Sequence, residues 1–270
     1  MKKIIWGLLA GGFLLACKKD KPDASRLMPG KIYENSLLKT EYLYTLDKKP
    51  YRRNSYATVS GTSQLSYYRI YSYNDKGLLI ETAEYNKNNT FQGIFKLQYN
   101  VNNLVSRIDL FAFDLTPIYS YLMTYNAAGN LTFVGTTDAS AKKVSDMELY
   151  YDAAGKLERT KRYHYVASSR ILSDTARYFF NDHTLPASWQ FFELQPYFTL
   201  ANYDRSLYDI TLDSIHYYYS DAPPFTTTYI NSGKMYNGAG LVTLQQVSYK
   251  ANNGITTSSG SKEYKYEYVE

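Results

Sequence analysis

One cysteine, Cys17, stands in 270 residues, and that scarcity removes whole classes of chemistry. A single thiol cannot close an internal disulfide, build a multi-cysteine zinc site or supply a redox pair. Stability must therefore come from burial and strand pairing. Histidine is almost as rare: His164, His183 and His216 lie far apart, and none has a second His or a carboxylate at helical ligand spacing. They read as surface or turn residues. No glycine-rich phosphate loop leads from a strand into a helix, no Gly-x-Ser-x-Gly elbow is present, and the Asn-containing and Gly-containing turns lack the remaining ligands of a calcium loop. No catalytic residue, metal or cofactor is assigned, and the expectation is a protein that is not an enzyme.

Long apolar runs are also missing. The one such run, residues 4–13, follows Lys2 and Lys3 and is too short for a permanent transmembrane helix, which needs about 20 residues. Its position is that of a secretion signal over residues 1–16. The tetrapeptide Leu14, Leu15, Ala16, Cys17 resembles the lipobox of bacterial lipoproteins. That resemblance implies a thioether diglyceride on Cys17, cleavage before it and acylation of the new amine, which together anchor the chain durably. Lys18, where an inner-membrane lipoprotein of the best-known bacteria would carry Asp, favours the outer membrane. Without Lys2 and Lys3 the chain holds 28 basic and 25 acidic residues, and 28 − 25 = +3 is too balanced to point to nucleic acid or anionic lipid. Residues 17–38 are assigned to the lipidated cysteine and a flexible polar tether, and residues 39–270 to one domain.

What the sequence does have is a repeat. An aromatic residue is followed by Asn or Asp, then by Gly or Asn at the fourth position and an aliphatic residue at the sixth. The copies are Tyr73-Asn74 with Gly77 and Leu79, Tyr99-Asn100 with Asn103 and Val105, Tyr125-Asn126 with Gly129 and Leu131, and Tyr151-Asp152 with Gly155 and Leu157. Each begins 26 residues after the last. Looser copies start at Phe180 and Tyr236, and the 56 residues between them have room for two further units. The chemistry is that of a hairpin turn: Asn or Asp bonds the backbone ahead, and Gly or Asn accepts the positive φ that closes the connection. The flanks, such as residues 65–73, 94–99 and 157–166, are rich in Tyr, Ile, Val and Thr and read as strands. Each unit is then a turn, a strand, a looser turn such as residues 86–93, and a returning strand.

The expected fold is all-β, an antiparallel up-and-down meander of roughly 12 to 16 strands, curled or closed into a large barrel because so wide a sheet does not stay flat. Along residues 157–166 one face carries Arg159 and Lys161 and the other Glu158, Arg162 and His164, while Arg107 and Asp109 interrupt the strand after Val105. A lipid-facing barrel needs an uninterrupted apolar band, so this one is expected to be soluble and to hang from its lipid. The 31 tyrosines, in runs such as Tyr67, Tyr71, Tyr73 and Tyr264, Tyr266, Tyr268, suit a sheet whose rings pack while their hydroxyls meet water.

The lipobox, the Tyr-Asn-x-x-Gly-x-Leu turns, the segment from Tyr44 to Tyr51 and the closing Tyr-Lys-Tyr-Glu-Tyr resemble a family of Gram-negative lipoproteins of unknown function. That resemblance implies a porin-like fold. The turns also resemble the YD repeats of Rhs proteins, whose toxin segment has no counterpart here. Neither resemblance carries catalytic residues. Asp204, Asp209 and Asp213 are dense but fall where the repeat blurs, and are read as solvated turn residues. Residues 185–203 look added to the scaffold and are read as a plug or lid. Their aromatic residues, Trp189, Phe192 and Tyr197 among them, are the candidate ligand-binding positions. The expected role is a non-enzymatic binding or structural protein at the outer membrane, held there through the lipid on Cys17. Its partner is a glycan or another envelope protein; the alternative is capture of a glycan or nutrient by the aromatic segment.

Overall fold

The computed structural model describes residues 27–155, 157–180, 212–219, 226–239, 241–252 and 256–269. Regular structure among them is all strand. The strands are β1 (Met28–Glu34), β2 (Leu37–Tyr44), β3 (Pro50–Val59), β4 (Thr62–Tyr73), β5 (Leu79–Asn86), β6 (Phe91–Tyr99), β7 (Val105–Ala112) and β8 (Pro117–Tyr125). They continue as β9 (Leu131–Asp138), β10 (Lys143–Tyr151), β11 (Leu157–Val166), β12 (Ser169–Phe180), β13 (Leu212–Tyr219), β14 (Thr226–Tyr236), β15 (Val242–Asn252) and β16 (Thr257–Val269). Each pairs antiparallel with its neighbour in sequence, and β1 pairs with β16, Ile32 opposite Tyr266, so the meander closes into a barrel without edges.

Two expectations need correction. The barrel begins at Met28 rather than at residue 39, because Met28 and Ile32 supply the buried apolar residues of a closing strand that a polar tether through residue 38 would lack. Among the described residues the interval from Phe180 to Tyr236 contributes one strand pair to the barrel, β13 and β14, instead of two units, since β12 pairs directly with β13.

The turns are more uniform than the repeat suggested. Beyond the expected loops at Asn74, Asn100, Asn126 and Asp152, the looser second turns close in the same way at Asn86 and Asp138. In each six-membered set the first residue's N–H donates to the carbonyl four residues on, or the fourth residue's N–H donates back to the first carbonyl. The Oδ1 of Asn74, Asn86, Asn100, Asn126 and Asp138 accepts from the N–H two and four residues ahead. The fourth residue takes a positive φ: Gly77, Asn89, Asn103, Gly129, Ala141 and Gly155. A further loop at Ala112 closes with the same backbone bonds, Leu115 taking the positive φ, and with it successive loops open 12 or 14 residues apart, which sum to the period of 26.

The loop at Asp138 places an alanine where a left-handed conformation is needed, at φ 61°, whereas Gly129 fills the same position at φ 83° with open space around its missing Cβ. Ala141→Gly is therefore expected to raise the unfolding free energy by about 0.5–1 kcal/mol, and Gly129→Ala to lower it by about 1 kcal/mol. Urea denaturation checks both; equal effects of the two substitutions would contradict the assignment.

The sheet sorts its residues by face. Ile32, Ile108, Val105 and Leu131 reach 0–3% exposure, which a single curved layer achieves only on its concave side. Two apolar clusters line that inner side, one around Met28, Ile32, Tyr42 and Val242 and one around Leu97, Val105, Ile108, Leu131 and Leu149. Both lie toward the rim where the even strands end, the rim that also carries Met28 and Val269. Lys96, Gln98 and Arg107 stand on the outer side and are exposed. Among the described residues these polar side chains interrupt an apolar band on that side.

At the same rim a tyrosine ends almost every even strand, and its hydroxyl donates to the first carbonyl of the preceding strand. Tyr44 donates to Pro29, Tyr73 to Pro50, Tyr99 to Leu79, Tyr125 to Val105, Tyr151 to Leu131 and Tyr268 to Val242, at 2.5–2.8 Å. The aromatic residue of one repeat thus bonds the aliphatic residue of the repeat before it. Burial, with the neighbouring Tyr125 phenol second, pushes Tyr99 and Tyr151 up to about 12. Burial raises Tyr44, Tyr73 and Tyr268 further still. A folded pKa above the unfolded value of about 10 stabilises fully below that value and loses its contribution as pH rises through the folded one. Stability should hold to about pH 10 and fall steeply between about 10 and 12, with tyrosinate absorbance at 295 nm rising together with loss of the strand signal. Phenols that ionise near 10 while the sheet stays intact would contradict this.

Candidate functional site: the inner wall of the barrel

The inner wall changes character along its height. Near the rim of the chain ends Met123 is 8% exposed, while on the same strand and face Tyr119 is 37% exposed toward the other rim. The barrel is a cup with an apolar floor and a wetter mouth.

Between floor and mouth lies a polar row set by register: Tyr42 on β2 faces Arg53 on β3, Arg53 faces Arg69 on β4, and Arg69 faces Glu84 on β5. Two guanidiniums are thus direct cross-strand neighbours, a placement that repels unless a counter-charge is close. Glu84 supplies one, its Oε2 accepting from Arg69 Nε at 2.8 Å. Aromatic rings hold the rest: Arg69 lies 5.9 Å from the Tyr67 ring and 5.7 Å from Phe95, and Arg53 lies 5.9 Å from Tyr42. The Arg53 guanidinium also lowers the Tyr71 phenol's pKa, against the larger upward push of burial. Burial opposes the charge on Arg53, yet Tyr42, Tyr71, Tyr67 and Glu84 together outweigh it and hold the guanidinium above its ordinary pKa. Ser55 and Thr82 flank the row one step toward the mouth and one toward the floor, each with a buried hydroxyl that finds no partner among the described residues.

Elsewhere on the inner wall several polar groups are paired, although the Gln245 Oε1 finds no partner among the described residues. Arg162 binds Asp174 at 3.2 Å, Thr160 Oγ1 and the Tyr178 hydroxyl share a bond of 3.1 Å, and the Gln245 amide donates to the Tyr266 hydroxyl at 2.7 Å. His164 is a half-buried strand residue of β11 rather than a turn residue, its Nδ1 2.7 Å from Ser173 Oγ. Among the described residues no group of three or more His, Cys, Asp or Glu side chains could hold a metal.

A second concentration of charge lies on the outer face of β10–β12. Asp146 accepts from Tyr165 at 2.5 Å and from Arg170 at 3.0 Å; Glu148 accepts from Arg170 at 2.7 Å, Tyr150 at 2.6 Å and Tyr163 at 3.3 Å. Arg170 stacks 3.6 Å above the Tyr163 ring. Although burial disfavours ionised Glu148, bonds from Tyr150, Arg170 and Tyr163 hold its pKa below the ordinary carboxylate value. Two carboxylates therefore converge, but on one guanidinium and three phenols that donate to them. The cluster staples strands.

Cys17, Trp189, Phe192 and Tyr197 lie outside the described residues, as do His183, Asp204 and Asp209. His216 and Asp213 fall on β13, where the backbone alone is described. Sequence reasoning missed Arg53, Arg69 and Glu84. They belong to three strands, and nothing local marks them as neighbours.

If Glu84 is what makes adjacent guanidiniums tolerable, Glu84→Gln should cost about 2 kcal/mol of stability, less than a fully buried pair because both side chains retain solvent contact. Arg53→Met should cost less in that background than in the parent, a coupling read from a double-mutant cycle in urea. Strict additivity would refute it.

No family model matches the sequence, and no curated protein does. Among solved structures the barrel is similar to a porin-like protein from Bacteroides uniformis, with 13% identity, a TM-score of 0.54, and coverage of 85% of this chain and 89% of that one. A porin-like protein from Bacteroides vulgatus aligns at 11% identity and a TM-score of 0.43 over 89% and 98% of the two chains. A TcdB2-TccC3 structure aligns at 10% identity and 0.30 over 82% of this chain and 12% of that one. The first likeness is one of fold; the other two add no weight to it.

Proposed function

We propose that the chain is a non-enzymatic lipoprotein of the outer membrane, anchored through Cys17, whose barrel works as a binding cup. The observation that carries this reading is the graded inner wall: apolar clusters and tyrosine hydroxyl bonds near the rim of the chain ends, and a polar, arginine-bearing and partly exposed wall beyond them. Such a gradient suits holding a solute toward the opposite rim. The lipobox at residues 14–17 and the porin-like fold of the Bacteroides uniformis protein support the envelope setting. Tyr67 and Tyr119 on the upper inner wall offer ring faces and hydroxyls, which suit a polar partner such as a glycan.

Two measurements test it. Intact mass of protein extracted from membranes should show a chain beginning at Cys17 with diglyceride and acyl groups; an unmodified thiol would overturn the anchor. Protein lacking residues 1–17 should retain a ligand from a glycan array or envelope extract, and retention should fall at least tenfold in Tyr119→Ala. Retention untouched by that change would remove the cup as the binding element.

A further inference from the structure

We infer that the rim carrying the chain ends is a bilayer-contact surface, with Leu46 and Val101 as its inserted apolar tips. The inference rests on the anchored reading above and adds which side of the barrel meets the membrane and through which residues.

Three observations converge. First, the chain enters the barrel at this rim and is fixed there: Leu27 and Met28 are buried against Tyr42, Leu241 and Val242, and the Tyr44 hydroxyl clasps the Pro29 carbonyl. Ten residues, 18–27, separate Cys17 from β1 and reach about 35 Å at full extension. The opposite rim lies a further strand length away, about 27 Å for the eight residues of β2. The lipid therefore holds this rim nearer the bilayer. Second, the loops of this rim include tips that cost burial to leave in water: Leu46 between β2 and β3 is 103% exposed, and Val101 between β6 and β7 is 98% exposed. Both occupy the second position of a five-residue loop, and the corresponding positions of the next two loops on this rim are Ala127 and Ala153. Third, the charges beside them nearly cancel. Asp47, Lys48 and Lys49 in one loop and Asp75 and Lys76 in the next sum to +1, so the contact draws little on anionic lipid, and these charges stay at the headgroup level while the apolar tips reach past them. With this rim down, the mouth of the cup faces the aqueous phase.

The opposite rim carries apolar tips of its own, Phe113 and Leu115, and serves as the internal control. Leu46→Cys, Val101→Cys and Phe113→Cys are made singly in the full chain, labelled with an environment-sensitive fluorophore and reconstituted into phosphatidylethanolamine vesicles with and without phosphatidylglycerol. The acylated Cys17 leaves the introduced thiol as the reactive one, and mass spectrometry of the same sample reports its lipid. Labels at residues 46 and 101 should shift to the blue and lose at least half their emission to spin-labelled acyl chains, while the label at 113 stays unquenched and salt changes neither. Quenching at 113 instead, or at no position, on a lipidated protein overturns the rim assignment and leaves the anchor standing. A Cys17 without lipid, on protein that does not float with the vesicles, overturns the anchor and this inference together.

Discussion

The barrel depends on a hydrogen bond that no strand ladder supplies: a tyrosine hydroxyl reaching across a hairpin to the first carbonyl of the strand before. Such carbonyls sit where a strand leaves its turn and the ladder has not yet engaged them, and a buried carbonyl without a donor costs about 1–3 kcal/mol. The phenol satisfies it while its ring covers the apolar floor. One residue type thereby closes the polar and the apolar ledger at each seam. The arrangement explains why Tyr precedes the Asn of the turn motif and why an aliphatic residue follows the Gly: Tyr99 caps Leu79, Tyr125 caps Val105, and Tyr151 caps Leu131. The period of 26 residues is the interval at which this contact recurs.

Much of the architecture was legible because turn chemistry is local. Asn74, Gly77 and their equivalents announce reversals within five residues, and the strands between them alternate as strands must. The upper estimate of 16 strands is met. What escaped the sequence is what depends on register. The closure of β1 on β16 joins residues more than 230 positions apart. The uniformity of the second turns was hidden because Asp138 follows Thr137 instead of a tyrosine, and the turn at Tyr85-Asn86 leads to Phe91 where the first set has an aliphatic residue, although the same side-chain oxygen opens both. Met28 to Glu34 read as tether because its apolar residues are few; pairing on both sides, to β2 and β16, makes it a strand.

The functional wall was less legible still. Arg53, Arg69 and Glu84 are ordinary surface residues by composition, and a one-residue slip would have turned each to the outside. Register instead places them in a buried row with Tyr42, where charge, aromatic rings and unsatisfied hydroxyls meet. The outer cluster around Arg170 uses the same residue types to tie β10, β11 and β12 together.

Those features form one gradient from the rim of the chain ends to the opposite mouth: exposed apolar loop tips, a ring of phenolic bonds, an apolar floor, a charged belt and a half-wet wall. The gradient exists only if the phenols close the floor, and replacing them isolates that step. Tyr73, Tyr99, Tyr125 and Tyr151 changed to Phe, one by one and together, keep the ring packing and delete four hydroxyl bonds. In denaturant unfolding the account predicts a loss of about 1 kcal/mol for each, accumulating across the four. A quadruple variant as stable as its parent would contradict it.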